Sequence, residues 1–195
     1  MLPRSFLSAV ALSAAVSLAA LSARFKEGPP PAHTGGFGEP TCRQCHSDAG
    51  LNEPGGRLAI SGLPSAYVPG RTYELAVALE RAGMLRAGFQ LAARFAAGAS
   101  SGRQAGVLSP TDARTAVVSD SVTHVSYIEH TLAGTALTTV EATRWTVRWT
   151  APAGSGGERG GAVVIHVTGN AANDDDSPLG DFIYASVVQV AAERR

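Results

Sequence analysis

Two stretches, Thr72-Tyr73-Glu74-Leu75-Ala76-Val77-Ala78-Leu79 and Trp145-Thr146-Val147-Arg148-Trp149-Thr150, decide the fold. In both, large apolar side chains recur at every second position and small or polar ones fill the gaps. Successive side chains of a strand point to opposite faces, so each stretch is a strand with one apolar face. The same period runs through Phe89, Leu91, Ala93 and Phe95, through Val163, Ile165 and Val167, and from Phe182 to Val190. Turn signals separate the runs: Val68-Pro69-Gly70, Ala82-Gly83, Ser100-Ser101-Gly102, Ser109-Pro110, Ala151-Pro152-Ala153-Gly154 and Asp176-Ser177-Pro178. Residues 57–195 are therefore expected to form one all-β domain, an antiparallel immunoglobulin-like β-sandwich of seven to nine short strands. No cysteine lies in the strands, so Trp145 and Trp149, not an inter-sheet disulfide, are expected to supply core bulk.

Upstream the composition changes. Residues 24–56 carry Gly28-Pro29-Pro30-Pro31, Gly35-Gly36, Gly38-Glu39-Pro40 and Pro54-Gly55-Gly56, which suit a loop and exclude a long helix or a central strand. Within this loop lies Thr41-Cys42-Arg43-Gln44-Cys45-His46, holding both cysteines of the chain. Two thiols at this spacing reach the two vinyl groups of one haem, and the histidine directly after the second is placed to ligate its iron. The reading is one covalent haem c, held through Cys42 and Cys45, with His46 as the proximal metal ligand. The competing chemistries are less well matched. A Cys42–Cys45 disulfide closes a ring too small to stabilise much. A thioredoxin-like pair needs a helix N-terminus and a βαβ setting, and zinc needs further ligands of its own.

The first residues agree with that chemistry. Arg4 precedes the uncharged run Phe6–Leu21, which is followed by Leu21-Ser22-Ala23, the pattern of a secretory signal peptide over residues 1–23. The run is shorter than the roughly 20 residues a spanning helix needs, so no stable membrane insertion is expected after cleavage. A periplasmic or extracellular location follows, where haem c is attached after translocation. A formal net charge of zero argues against a nucleic-acid partner, whose footprint is a basic surplus.

A Gly- and Pro-rich loop cannot cover both faces of a haem, so the sixth iron ligand is expected from elsewhere. His33 could fold back, and His130 closes the run Tyr127-Ile128-Glu129-His130 at a strand end, while Met84 is a thioether alternative. His166 and His124 are assigned to solvent faces. The spacing leaves His33 and His130 level. Gly35-Gly36-Phe37-Gly38 is expected to pack against the haem edge. The loop Gly169 to Asp181, with Asp174-Asp175-Asp176, lacks the glycine and terminal glutamate of an EF-hand calcium loop, and Asx turns are the favoured reading over calcium.

Thr34-Gly35-Gly36-Phe37-Gly38-Glu39-Pro40-Thr41-Cys42 through His46, Tyr67-Val68-Pro69-Gly70-Arg71-Thr72-Tyr73, Ala87-Gly88-Phe89-Gln90-Leu91, Tyr127-Ile128-Glu129-His130-Thr131, Trp149-Thr150-Ala151-Pro152 and Gly169-Asn170-Ala171-Ala172-Asn173 together resemble the bacterial choice-of-anchor V domain proteins. The resemblance spans about Pro31 to Val190 and implies an exported, reeler-like sandwich with an N-terminal haem-attachment motif. It also favours His130 over His33 as the second axial ligand. Unlike members with a C-terminal anchor, this sequence ends at Arg195 without one.

The leading functional expectation is a monohaem c-type cytochrome for electron transfer to a partner protein that the residues do not specify. Bis-histidine iron has a lower potential than histidine–methionine iron, because the softer thioether favours the ferrous state. The alternative is a secreted β-sandwich binding module in which the haem, or a Cys42–Cys45 disulfide, is mainly structural. Enzyme activity is the minority reading and would require an open, five-coordinate iron, since no Ser/His/Asp arrangement or acid pair suggests a hydrolase.

Overall fold

The computed structural model describes residues 27–153 and 161–193, and the expected signal segment lies outside the described residues. The period-two runs are strands. In chain order they are β1 (Gly56–Ser61), β2 (Ala66–Tyr67), β3 (Thr72–Arg81), β4 (Arg86–Phe95), β5 (Val107–Pro110), β6 (Thr115–Ser119), β7 (Ser126–His130), β8 (Ala142–Thr150), β9 (Val163–Ala172) and β10 (Phe182–Ala192). They form a four-stranded sheet, β1-β3-β8-β5, and a six-stranded sheet, β2-β10-β9-β4-β7-β6. The protein is an all-β sandwich, and the pairing is antiparallel except at one edge, where β2 runs parallel to β10 through Ala66↔Ala191 and Tyr67↔Ala192.

The core lies where the alternating faces meet. Leu75, Val77 and Leu79 from β3 and Trp145, Val147 and Trp149 from β8 face Phe89, Leu91, Ile165 and Val167, all buried. Phe89 packs on Trp145 with ring centroids 4.6 Å apart, and Tyr67 meets Trp149 edge-on at 5.5 Å. Each indole N–H is satisfied as a buried polar group must be: Trp145 Nε1 donates to the Gly134 carbonyl at 2.8 Å and Trp149 Nε1 to that of Ala105 at 2.9 Å.

The outer face of the six-stranded sheet is also covered, which the alternation did not indicate. Register places Gly88 opposite Asn170, Gln90 opposite Thr168 and Ala92 opposite His166 on this face. The chain from Glu27 to Glu53 lies over it and bonds to it. Gln90 Nε2 donates to the Pro30 carbonyl (2.9 Å), Gln90 Oε1 accepts from His33 N–H (2.7 Å), and Thr168 Oγ1 donates to the His33 carbonyl (2.6 Å). Glu39 reaches Arg94 in an ion pair whose side chains are only 10% and 7% exposed, and it also accepts from the Tyr127 hydroxyl. Thr34 Oγ1 donates to the other Glu39 oxygen at 2.5 Å. His166, assigned to solvent by its place in the alternation, is in fact half-buried beneath this segment. The Phe37 ring lies edge-on to it at 5.6 Å, and a side chain on Gly36 would collide with its imidazole.

Arg94 Nε is already buried with no hydrogen-bond partner among the described residues, so removing the carboxylate would strand the guanidinium. Glu39→Ala is expected to lower the unfolding free energy by about 3–5 kcal/mol in urea titrations. A loss below about 1 kcal/mol, typical of surface pairs, would show that the pair is solvated.

Candidate functional site

Covering the sheet leaves a cleft at one end of the outer face, between the N-terminal segment and the ends of β4, β7 and β9. The Cys42–Gln44 stretch forms a single 3-10 turn, capped by Thr41 Oγ1, which accepts the Arg43 N–H. Cys45 N–H and His46 N–H both return to the Cys42 carbonyl, at 3.2 and 3.1 Å. This tight turn sends its three reactive side chains to different environments. Cys42 is half-buried with Sγ 3.3 Å from Thr168 Oγ1, Cys45 is exposed, and His46 Nδ1 lies 2.7 Å from a carboxylate oxygen of Asp181.

Burial pushes the Cys42 thiol up to about 11. The Thr168 hydroxyl spends its only proton on the His33 carbonyl, so Cys42 S–H is the donor between the two. The pocket around Cys42 therefore suits a neutral sulfur, a thiol or a thioether, and disfavours the reactive thiolate of a redox pair.

His130, the last residue of β7, reaches the same cleft. Its ring lies over Gly88, where an added Cβ would stand 2.6 Å from His130 Cε1 and 3.0 Å from Nε2. Only glycine leaves room for the imidazole there. Burial lowers the His130 pKa, so the ring is held neutral, as a metal ligand must be. His130 Nδ1 is 3.2 Å from the Phe89 carbonyl and 3.0 Å from the Phe89 N–H. The Phe89 N–H donates to Nδ1, so in this arrangement Nδ1 is an acceptor. Asn170, directly opposite Gly88 on β9, brings its amide nitrogen to 3.3 Å from His46 Nδ1. One cross-strand pair thus links the two histidines, and Cys42, Cys45, His46 and His130 all line the cleft.

The other expected residues separate. His33 lines the cleft, yet its Nε2 lies 2.7 Å from Gln44 Oε1 and its Nδ1 3.0 Å from the Pro30 carbonyl, so both ring nitrogens face acceptors. Met84 is 2% exposed within the apolar core and does not line the cleft. In the Gly35–Gly38 run, Gly36 and Phe37 pack on His166 of β9, and none of the four lines the cleft. His124 sits in the exposed turn after Asp120. In the acidic loop Asp175 N–H donates to Asn173 Oδ1 and Ser177 N–H to Asp175 Oδ1, the expected Asx turns, while Asp174 pairs with Arg86. Asp181, Asn170 and Gly88 had no assigned role in the sequence reading. Their only sequence signal was membership in the Gly169–Asp181 loop and the Ala87–Leu91 motif.

The residues fit a haem. The enclosed part of the cleft is about 250 Å³, less than the about 300–1,000 Å³ of small-molecule sites, so a haem would fill its open mouth as well. Pro29, Pro30, Ala87, Phe89, Ala172 and Pro178 give it apolar walls. Among the described residues no three His, Cys, Asp or Glu side chains gather round one point. A porphyrin brings four nitrogens of its own and asks the protein only for axial ligands.

No family model matches the chain, and no curated protein matches it. Among solved structures it is similar to the Reelin-N domain of F-spondin, at 19% identity and TM-score 0.49 over 78% of this chain and 97% of that one. It is also similar to the reeler domain of human F-spondin, at 19% and 0.46 over 74% and 94%. A cohesin module from a Clostridium perfringens family 33 glycoside hydrolase aligns at 13% and 0.47 over 72% and 98%.

Beside the cleft, burial pushes the Glu129 carboxyl up to about 7, offset in part by the Gln90 amide donating to it at 2.8 Å. A carboxyl raised in the folded state stabilises fully below its unfolded value near 4.5, and that stability is lost as pH rises through 7. Glu129→Gln, which keeps an acceptor for Gln90, is therefore expected to match the parent at pH 4 and exceed it by about 1–3 kcal/mol at pH 8.5. Chemical denaturation at the two pH values checks this, and equal differences at both would contradict it.

Proposed function

We propose that this chain is an exported, reeler-like β-sandwich of the choice-of-anchor V kind that carries one covalent haem c and serves in electron transfer. The observation that carries the reading is the meeting of Cys42, Cys45 and His46 with His130 in one apolar-walled cleft, although the motif and His130 come from separate elements. Cys42 and Cys45 would hold the porphyrin, and His46 and His130 would be its axial ligands. Haem supplies a one-electron ferric–ferrous couple and no bond-making of its own in this role. The protein's share is to position two imidazoles, to keep a neutral sulfur at Cys42 and to exclude water with Pro30, Phe89 and Pro178. Periplasmic or extracellular location belongs to the same proposal, as does a partner protein that delivers and removes the electron.

A second reading, a secreted binding module, is favoured by one observation. Bonds outside the cysteine turn, from Glu39 to Arg94, Gln90 to Pro30 and Thr168 to His33, hold the N-terminal segment on the sheet. In that case the Cys42–Cys45 pair is a local disulfide.

Expression to the periplasm with the cytochrome c maturation machinery, followed by a haem-stained denaturing gel and a pyridine haemochrome spectrum, separates the two. One covalent haem per chain is expected, and none would favour the binding module. His130→Ala is expected to retain the haem while converting a low-spin spectrum to high-spin with ready carbon monoxide binding. An unchanged low-spin spectrum would remove His130 as a ligand.

A further inference from the structure

The Asp181 carboxylate in the cleft wall is 2% exposed and stands just before β10. Three donors converge on it. His46 Nδ1 at 2.7 Å and Asn170 Nδ2 at 2.9 Å share Oδ2, and the Asn173 N–H reaches Oδ1 at 3.2 Å. A carboxylate only accepts, so a neutral His46 bonded to it must carry its proton on Nδ1. Asn170 cannot be turned round without setting its carbonyl against the same oxygen, so the amide orientation is fixed too.

His130 is backed differently. Its Nδ1 accepts the Phe89 N–H at 3.0 Å, with the Phe89 carbonyl at 3.2 Å, so its partner is a neutral peptide group. The two imidazoles therefore have unequal second partners: His46 faces a full negative charge and His130 a neutral peptide N–H. A charged acceptor strengthens a hydrogen bond roughly twofold over a neutral one and draws the proton away from the ring. The ring becomes more basic at its far nitrogen.

We propose that Asp181 is a positioning residue that locks His46 in the Nδ1–H tautomer, frees Nε2 for iron and lowers the redox potential of the site by stabilising the ferric form. This inference rests on the haem reading and assigns it a property: the sandwich sets the potential from the His46 side, through a residue some distance along the chain from the attachment motif. Asn170 holds the carboxylate in place.

The test uses the full chain with and without haem. In the unloaded chain, nitrogen-15 NMR of the histidine rings is expected to show His46 as the Nδ1–H tautomer. Either an Nε2–H tautomer or rapid exchange between the two would overturn the inference whether or not haem binds. In the loaded chain, Asp181→Asn is expected to shift the ferric–ferrous equilibrium at least about tenfold towards ferrous, or ~59 mV upward. Asp181→Glu is expected to restore most of the parent potential, which a purely structural role would not do. An unchanged potential in a folded, haem-bearing Asp181→Asn variant would overturn the inference while leaving the haem reading intact. A parent chain with no haem would overturn the reading itself, and the NMR result would still decide the tautomer.

Discussion

A guanidinium buried on the outer face of a sheet needs a carboxylate, and the pairing of Arg94 with Glu39 sets the rest of the molecule in order. Arg94 comes from β4 in the middle of the six-stranded sheet, and Glu39 from the loop that precedes the sandwich. Unpaired, either charge would carry a heavy desolvation cost. Paired, they draw the N-terminal segment down across the sheet, with Tyr127 and Thr34 satisfying the remaining carboxylate lone pairs. The segment then lies with Cys42 against Thr168 and His46 against Asp181, and the cleft is the space left between it and the strand ends.

That sheet has an apolar inner face and a polar outer one, each covered by different means. Between the sheets, Trp145, Trp149 and their neighbours exclude water by bulk. Outside, Gln90 and Thr168 sit beneath a covering that bonds to each, and Gln90 donates in turn to Glu129. A small apolar cluster of Ala92, Val125 and Tyr127, joined by Ala32 from the segment, supplies what little hydrophobic contact this face has. Burial without charge pairing leaves its mark on Glu129, whose carboxyl is pushed up to about 7. The same desolvation keeps Cys42 and His130 neutral, the states that thioether formation and iron ligation require.

The strands were legible because their inner faces are apolar and the period is two. Leu75, Val77 and Leu79, or Trp145, Val147 and Trp149, announce themselves within a few residues. The covering of the outer face was not legible, because Gln90, Arg94 and His166 look the same in a sequence whether they meet water or a polar segment. For that reason β4 reads as half-buried, although its residues from Ala87 to Arg94 are all buried. The short strands β1, β5 and β6 lack enough alternations to stand out, and the parallel edge at β2 depends on where β10 ends. In the site, Cys42, Cys45 and His46 are legible together because their chemistry is local. His130 could be reached only as a strand end facing a loop and by resemblance. Asp181 and Asn170 act through contacts across more than a hundred residues of chain, with His46 at one end and β9 or β10 at the other. Met84 looked suitable in type and failed on position, since the inner face of the sandwich claims it.

The central claim is that two imidazoles from distant parts of the chain share one iron. Anomalous diffraction at the iron edge, on crystals of the haem-loaded protein, tests it directly. A single peak between the rings of His46 and His130, beside Cys42 and Cys45, is the expected result. A peak ligated by His46 with His130 turned away, or no iron in the cleft at all, would contradict it.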